Sequence, residues 1–397
     1  TSRAQFVEAL RRWLLLHTAE VAVYLVFVAL AVVGVFCAYF LWRRRDDVPV
    51  ASWTADPTTD DPVRRFWDGQ AWTSSVTEGT QTGNRGKRFE GRFWGWWLLL
   101  VPVAFVIQII GSVIYSSTQS AALLALFSAL TTTVVCLTFY VFVSRQLQFG
   151  QVVTWWQIVA CTVGGAGASI AVAGAINDAI LNRYGLQVAV ITVGVVEELT
   201  KLLIPFILYL CLRYRNPRAG IAMGLASAAG FAVAEAADYA FSFPEGGAPN
   251  PCTANSLTPA PGVAATIGEQ LLRVFTVEPL HFLWTGIAVA VIWRLWRVYG
   301  TTRFTPAVIG ALLIPVVLHS VNDSSTYLAC GGTGGQSVRV ALVLAIPLVS
   351  YLLFKFFASQ STAPDIVASV SKGWQPARLK SQPYRTEDVE KDTTLAP

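Results

Sequence analysis

The chain has 397 residues, 54% hydrophobic and only 13% charged, with a mean hydropathy of +0.52. That is too apolar for an ordinary soluble domain and points to an all-α protein that crosses a membrane many times. The net charge of +5 is dispersed among loops rather than gathered into a patch, which gives no basis for a nucleic-acid partner.

Apolar runs long enough to cross about 30 Å of hydrocarbon lie at 14–41, 94–115, 121–143, 157–181, 187–212, 219–243, 270–297, 304–323 and 338–357. They predict roughly nine membrane helices. The first is too long for the apolar stretch of a cleavable signal peptide, and His17 at its start is expected to be interfacial. Basic residues fall on alternate loops: Arg43, Arg44 and Arg45, then Arg145, then Arg213, Arg215 and Arg218, then Arg294, Arg297 and Arg303, with Lys355 ending the last span. Cytoplasmic loops carry the excess of Lys and Arg. The amino terminus is therefore expected outside and the carboxyl terminus in the cytoplasm, although Arg3, Arg11 and Arg12 would then be translocated. Trp94, Trp96, Trp97, Trp155, Trp156, Trp293 and Trp296 fall at the cytoplasmic ends of helices, as interfacial anchors would.

Four regions follow: a first span (1–42), a polar insert (43–92), a multi-helix core (93–357) and a tail (358–397) without apolar periodicity, expected to be disordered and cytoplasmic. The insert carries Trp53, Asp56 and Pro57, then Arg65 to Thr73 reading Arg-Phe-Trp-Asp-Gly-Gln-Ala-Trp-Thr. Asp-Pro and Asp-Gly mark turns, and the flanking aromatics suit short strands. This spacing resembles a short bacterial domain of unknown function found beside membrane segments. The resemblance implies a structural or docking module with a cytoplasmic partner, and no chemistry.

The fourth span carries Gly164, Gly165, Gly167, Ala168, Ala171 and Gly174, small residues that suit close helix packing or a surface that admits a substrate helix. No internal repeat is seen. Cys37, Cys136, Cys161 and Cys211 are scattered singly in helices, whereas Cys252 and Cys330 both fall in outer loops, where an oxidising compartment favours a disulfide.

Charged groups interrupt four of the spans. The fifth reads Val195, Val196, Glu197, Glu198, Leu199, Thr200, Lys201, and Glu197 and Lys201 share a helix face. The sixth runs from Phe231 to Glu235, with Asp238 one turn on; the seventh carries Glu278, Pro279 and His281; the eighth, His319 and Asp323. A charge near the bilayer centre costs about 2.5 to 3.5 kcal/mol, so three glutamates with Lys201 and Asp238 would cost roughly 12 to 17 if unpaired. They must neutralise one another or hold a metal. Counted along alternating helices, Glu198, Glu235, His281 and His319 all fall between the midplane and the outer face. Pro205, Pro279 and Pro315 are placed to kink helices beside these motifs.

Imidazole nitrogens and carboxylate oxygens suit zinc, and a catalytic zinc keeps three protein ligands and an open position. Glu235, His281 and His319 are the expected ligands, with Asp323 as a further or outer one. Glu197 or Glu198 is the expected general base, its charge offset by Lys201. Glu278 is expected to face the outer vestibule, the alternative being that it orients the His281 ring.

The set Glu-Glu-x-x-Lys, Phe-x-x-x-Glu, an isolated membrane His and His-x-x-x-Asp, on consecutive helices over roughly 155–330, resembles the PrsW-type intramembrane metalloproteases, distant relatives of CaaX prenyl endopeptidases and Abi proteins. The resemblance implies a glutamate-dependent metalloendopeptidase of the bacterial plasma membrane that cleaves a membrane-anchored anti-sigma factor on its outer side. Ala236 stands where that family often has Asn, and CaaX enzymes usually have His at the position of Glu235. Two other readings stand beside it. A proton-coupled transporter would use buried Glu and Lys as a relay, and a non-catalytic membrane scaffold would need no metal.

Overall fold

The computed structural model describes strands 52–55, 63–67 and 72–78, and residues 99–361 apart from 148, 152, 213–216, 247–251, 253–259, 300–303 and 360. The first expected span with His17, and the tail after 361, lie outside the described residues. In the polar insert, β1 (Ser52–Ala55), β2 (Val63–Trp67) and β3 (Trp72–Glu78) form an antiparallel sheet in the order β1-β2-β3. Trp53 stands opposite Phe66, and Trp67 opposite Trp72. The short strands expected there are present.

All the described core is helical. α1 (Leu100–Thr118) and α2 (Ala121–Leu147) precede α3 (Trp155–Ala168), which passes through a π-helical turn, Ser169–Gly174, into α4 (Ala175–Tyr184). α5 (Leu186–Leu212) and α6 (Pro217–Ser242) follow. α7 (Val263–Leu272) continues through a second π turn, Arg273–Val277, into α8 (Glu278–Tyr299). α9 (Pro306–Ser324), a 3₁₀ segment (Ser325–Gly331) and α10 (Gly332–Ser359) complete the core. Among the described residues, 7 helical stretches are long and apolar enough to cross a membrane. α5 has the length, at 27 residues, and carries Glu197, Glu198 and Lys201 in its middle.

α6 is the central helix: 83% of its most apolar window is buried, against 17% for α10. Its alanines and glycines present almost no side chain, so neighbouring helices approach its backbone. Gly230 faces the carbonyl of Thr162 on α3, and Gly165 of α3 faces the carbonyl of Ser227; a Cβ at either glycine would overlap that backbone. The small-residue stripe of α3 is therefore consumed by packing. Gly164, Gly165, Gly167 and Ala168 are buried and offer no open surface to a substrate helix, whereas Ala171 is exposed and Gly174 half-buried in the π turn that follows.

Trp155 and Trp156 are exposed and stacked on each other, as anchors should be. Trp293 and Trp296 are not anchors. They are buried against Phe206 and Tyr209, where Trp293 also covers Gly220. Cys252 and Cys330 form the expected disulfide, joining the loop after α6 to the segment after α9. Cys136 and Cys161 are free and buried.

Gly230→Val should destabilise the protein by about 3 kcal/mol or more, because the overlap is with backbone that cannot rotate away. Gly310→Ala, where a Cβ meets nothing within 4 Å, should be neutral or raise stability by up to about 1 kcal/mol. Thermal unfolding of the two variants in detergent checks the pair. Equal behaviour would contradict the close α3–α6 approach.

Candidate metal centre

The centre is assembled from α5, α6, α8 and α9, with one contribution each from α4 and the π turn before α8. On α5, Lys201 Nζ lies 2.7 Å from Glu198 Oε1 and 3.6 Å from Glu197 Oε2. It also touches His281 Nδ1 and sits 4.4 Å above the Phe231 ring, with no solvent exposure. Pro205 has no N–H to give the carbonyl of Lys201. The Ser227 hydroxyl of α6 donates to that carbonyl instead, at 2.7 Å. The break that proline makes in α5 is thus repaired by its neighbour, which holds Lys201 against the central helix.

The two adjacent glutamates have different surroundings. Glu198 Oε1 faces Lys201 and, at 3.0 Å, His319 Nδ1, while its Oε2 accepts from the Thr285 hydroxyl at 3.3 Å. Both its oxygens are engaged. Glu197 accepts from the Asn177 amide of α4 through Oε1, at 3.2 Å. Its Oε2 has no hydrogen bond and lies 3.6 Å from His319 Nε2.

Around His281 the same division recurs. Arg273 reaches Glu235 Oε1 at 2.8 Å and Glu278 Oε1 at 3.1 Å, with its guanidinium 3.5 Å from the centre of the Tyr239 ring. The other oxygens face the imidazole: Glu235 Oε2 is 2.9 Å from His281 Nε2, and Glu278 Oε2 is 3.7 Å away. Residues five apart on a regular α-helix point about 140° away from each other. The wider π turn brings Arg273 and Glu278 together, and Pro279, which has no N–H for the carbonyl of Phe275, adjoins it. His319, on α9, stacks on Trp284 at 4.6 Å between ring centres and lies 5.2 Å from the His281 ring. Asp323 Oδ2, one turn on, is 3.6 Å from His319 Nε2. The Ser320 hydroxyl donates to the carbonyl of Ile191, tying α9 to α5.

All seven residues selected from the sequence, Glu197, Glu198, Lys201, Glu235, His281, His319 and Asp323, therefore meet in one cluster. Their grouping differs from the expectation. Possible ligand atoms of Glu197, His281 and His319 lie within 4.8 Å of one another, and so do those of Glu235, Glu278 and His281. Glu235 and His319 thus belong to two overlapping groups that share His281. Glu278 does not face a vestibule: it is wholly buried beside His281. Asp238 is exposed and stands apart. Arg273, Asn177 and Thr285 were not singled out. An arginine inside an apolar span was the available signal for Arg273, since such a residue needs a carboxylate partner.

The cluster fits a divalent metal ion. Four buried atoms, His281 Nε2, Glu197 Oε2, Glu235 Oε2 and Glu278 Oε2, have no hydrogen-bond partner among the described residues. His281 Nε2 and Glu235 Oε2 are close without hydrogen-bond geometry, as two donor atoms turned toward a third body would be. His319 directs Nδ1 to a carboxylate and keeps Nε2 inward, the usual support of a metal-binding imidazole. With every group ionised, Glu197, Glu198, Glu235, Glu278 and Asp323 exceed Lys201 and Arg273 by three negative charges, two of which a divalent ion would neutralise. A cavity of about 240 Å³, lined by Glu235, Tyr239, Arg273, His319, Asp323 and Arg339 among others, adjoins the cluster.

A model of the PrsW family of intramembrane metalloproteases matches residues 153–352, which includes every residue of the cluster. No curated protein and no solved structure matches the chain.

Arg273→Gln should destabilise the protein by about 3 to 5 kcal/mol, because it leaves the carboxylates of Glu235 and Glu278 buried without their cation. Arg273→Lys should recover part of that loss, keeping the charge and losing the fork that reaches both carboxylates. Chemical or thermal unfolding in detergent measures both. Unchanged stability in Arg273→Gln would contradict the pairing.

Proposed function

The chain belongs to the PrsW family of intramembrane metalloproteases, multi-pass membrane hydrolases, and on that premise we propose that it uses zinc to cut a single-span membrane protein near the outer face of the bacterial plasma membrane. Glu235, His281 and His319 would hold the ion, with Asp323 beside His319 as a further ligand. Bound zinc supplies Lewis acidity, which lowers the pKa of water to about 7 and polarises a carbonyl.

The observation that carries the reading is the convergence of unbonded donor atoms: His281 Nε2 and Glu235 Oε2 lie 2.9 Å apart, buried and without hydrogen bonds, and Glu197 Oε2 is buried and unbonded beside His319. Glu197 is the general base. Its Oε1 is fixed by Asn177, and its Oε2 is free to take a proton from water and deliver it to the departing amine. Glu198 cannot do this, because both its oxygens are occupied; it holds His319 in position and shares the charge of Lys201. Lys201 and Arg273 pair with the carboxylates and aim them.

Two arguments favour the outer side. Basic residues alternate between loops, and the Cys252–Cys330 disulfide, which persists in an oxidising compartment, closes the end of the molecule where α9 carries Asp323. An anti-sigma factor anchored by one span is a substrate of the required kind. The strands of the insert would serve a cytoplasmic partner. A transporter or a silent scaffold has no need of unbonded ligand atoms around paired histidines.

Co-expression with single-span reporters, together with metal analysis of purified protein, tests the assignment. His281→Ala and His319→Ala should lose both metal and cleavage, whereas Glu197→Gln should keep the metal and lose cleavage by roughly 10²–10⁴-fold. Metal loss in Glu197→Gln would move Glu197 into the ligand set, and full activity would move the base elsewhere. Fragment ends should fall within a few residues of the substrate's outer membrane boundary; ends confined to its cytoplasmic side would overturn the orientation.

A further inference from the structure

The cavity beside the cluster holds two arginines in opposite circumstances. Arg273 is saturated by Glu235, Glu278 and the Tyr239 ring. Arg339, on α10, is half-buried in the cavity wall and makes no hydrogen bond or ion pair with any described residue. Acidic groups line the same cavity, yet none of them takes it. Glu235 is held by Arg273, Asp323 faces His319 and accepts from the Asn322 amide, and Glu269 lies outside ion-pair reach of Arg339.

An arginine in a membrane helix is costly unless it is paired or wetted. It is the eighth residue of α10, which starts at Gly332. At 1.5 Å per residue that is about 10 Å in from the helix end, on the side of the molecule that carries Asp323 and the disulfide. Five N–H donors in a planar fork therefore face the cavity without acceptors. The group that a guanidinium fork fits best is a carboxylate, bound through two parallel hydrogen bonds. The cavity, about 240 Å³, holds side chains and not a folded domain.

We propose that Arg339 is a specificity-determining residue that binds an acidic side chain of the substrate, next to the scissile bond and just beyond the substrate's apolar segment. The proposal rests on the proteolytic reading of the centre. It explains why a cavity with acidic walls retains a cation that none of those walls uses. Without Arg339, Asp323 and Glu269 would repel an acidic substrate and favour a basic one.

Binding can be measured apart from cleavage. The full chain, in nanodiscs of phosphatidylcholine, is titrated with synthetic peptides that carry a span of about 20 apolar residues and an outer flank containing glutamate, glutamine or lysine. The wild type should bind the glutamate peptide roughly tenfold or more tightly than the glutamine peptide, the worth of a charge-assisted hydrogen bond. Arg339→Gln should abolish that ratio, Arg339→Lys should restore part of it, and Arg339→Glu should favour the lysine peptide. All should keep the wild-type metal content. Equal binding of the two peptides by the wild type, including none of either, overturns the proposal, as does a ratio that survives in Arg339→Gln. A loss of turnover on the glutamine peptide in Arg339→Gln, with the wild-type binding ratio already equal to one, would place Arg339 in the chemistry and also overturn it. A correct binding ratio with no cleavage by any variant would count against the proteolytic reading and leave the binding role intact.

Discussion

Neutralising charge where there is no water is the constraint on which this structure depends. Glu197, Glu198 and Lys201 on one helix would be prohibitive in hydrocarbon as isolated groups, and the fold answers with contacts from every neighbouring element. Lys201 lies 2.7 Å from Glu198, and Arg273 reaches Glu235 and Glu278 together. The central helix makes those contacts possible by having almost no side chains. Its small residues let α3 and α8 approach, and its Ser227 satisfies the carbonyl that Pro205 leaves bare. Close packing and charge pairing are thus one device: separating the helices would strand the ions.

Buried ion pairs are poor sources of stability, since apolar residues of similar volume serve as well or better. Their retention here fits the way each carboxylate is divided. Glu197, Glu235 and Glu278 each give one oxygen to a fixed donor and leave the other without one, next to an imidazole Nε2. The fixed half orients the free half. Glu198 is the exception, tied at both oxygens, and it serves to aim His319. A cluster built for stability alone would have closed these open positions.

Much of this was legible in the sequence, because membrane helices announce themselves and ionisable residues inside them are conspicuous. Glu197, His281 and His319 stood out for that reason, as did the pairing of Cys252 with Cys330. What the sequence obscured depended on departures from helical regularity. Glu278 was expected to face the outer vestibule, whereas its place three residues before His281 on α8 puts it on that residue's buried face, next to the π turn at Arg273–Val277. The same turn recruits Arg273, which hydropathy alone treats as a blemish in an apolar run. Trp293 and Trp296 sit where anchors belong in sequence, yet the glycine surface of α6 draws Trp293 inward. Which carboxylate shares a group with which histidine was beyond the reach of spacing, since it depends on helix rotation.

The central claim is that Glu235, His281 and His319 are ligands of one metal ion. An X-ray absorption spectrum of the intact protein, purified without added metal, tests it directly. The account predicts a zinc edge whose fine structure shows imidazole nitrogens and carboxylate oxygens at about 2.0 to 2.2 Å and no sulfur shell, with the imidazole signal lost in His281→Ala. A metal-free protein, or a metal with a sulfur shell or without imidazole, would contradict it.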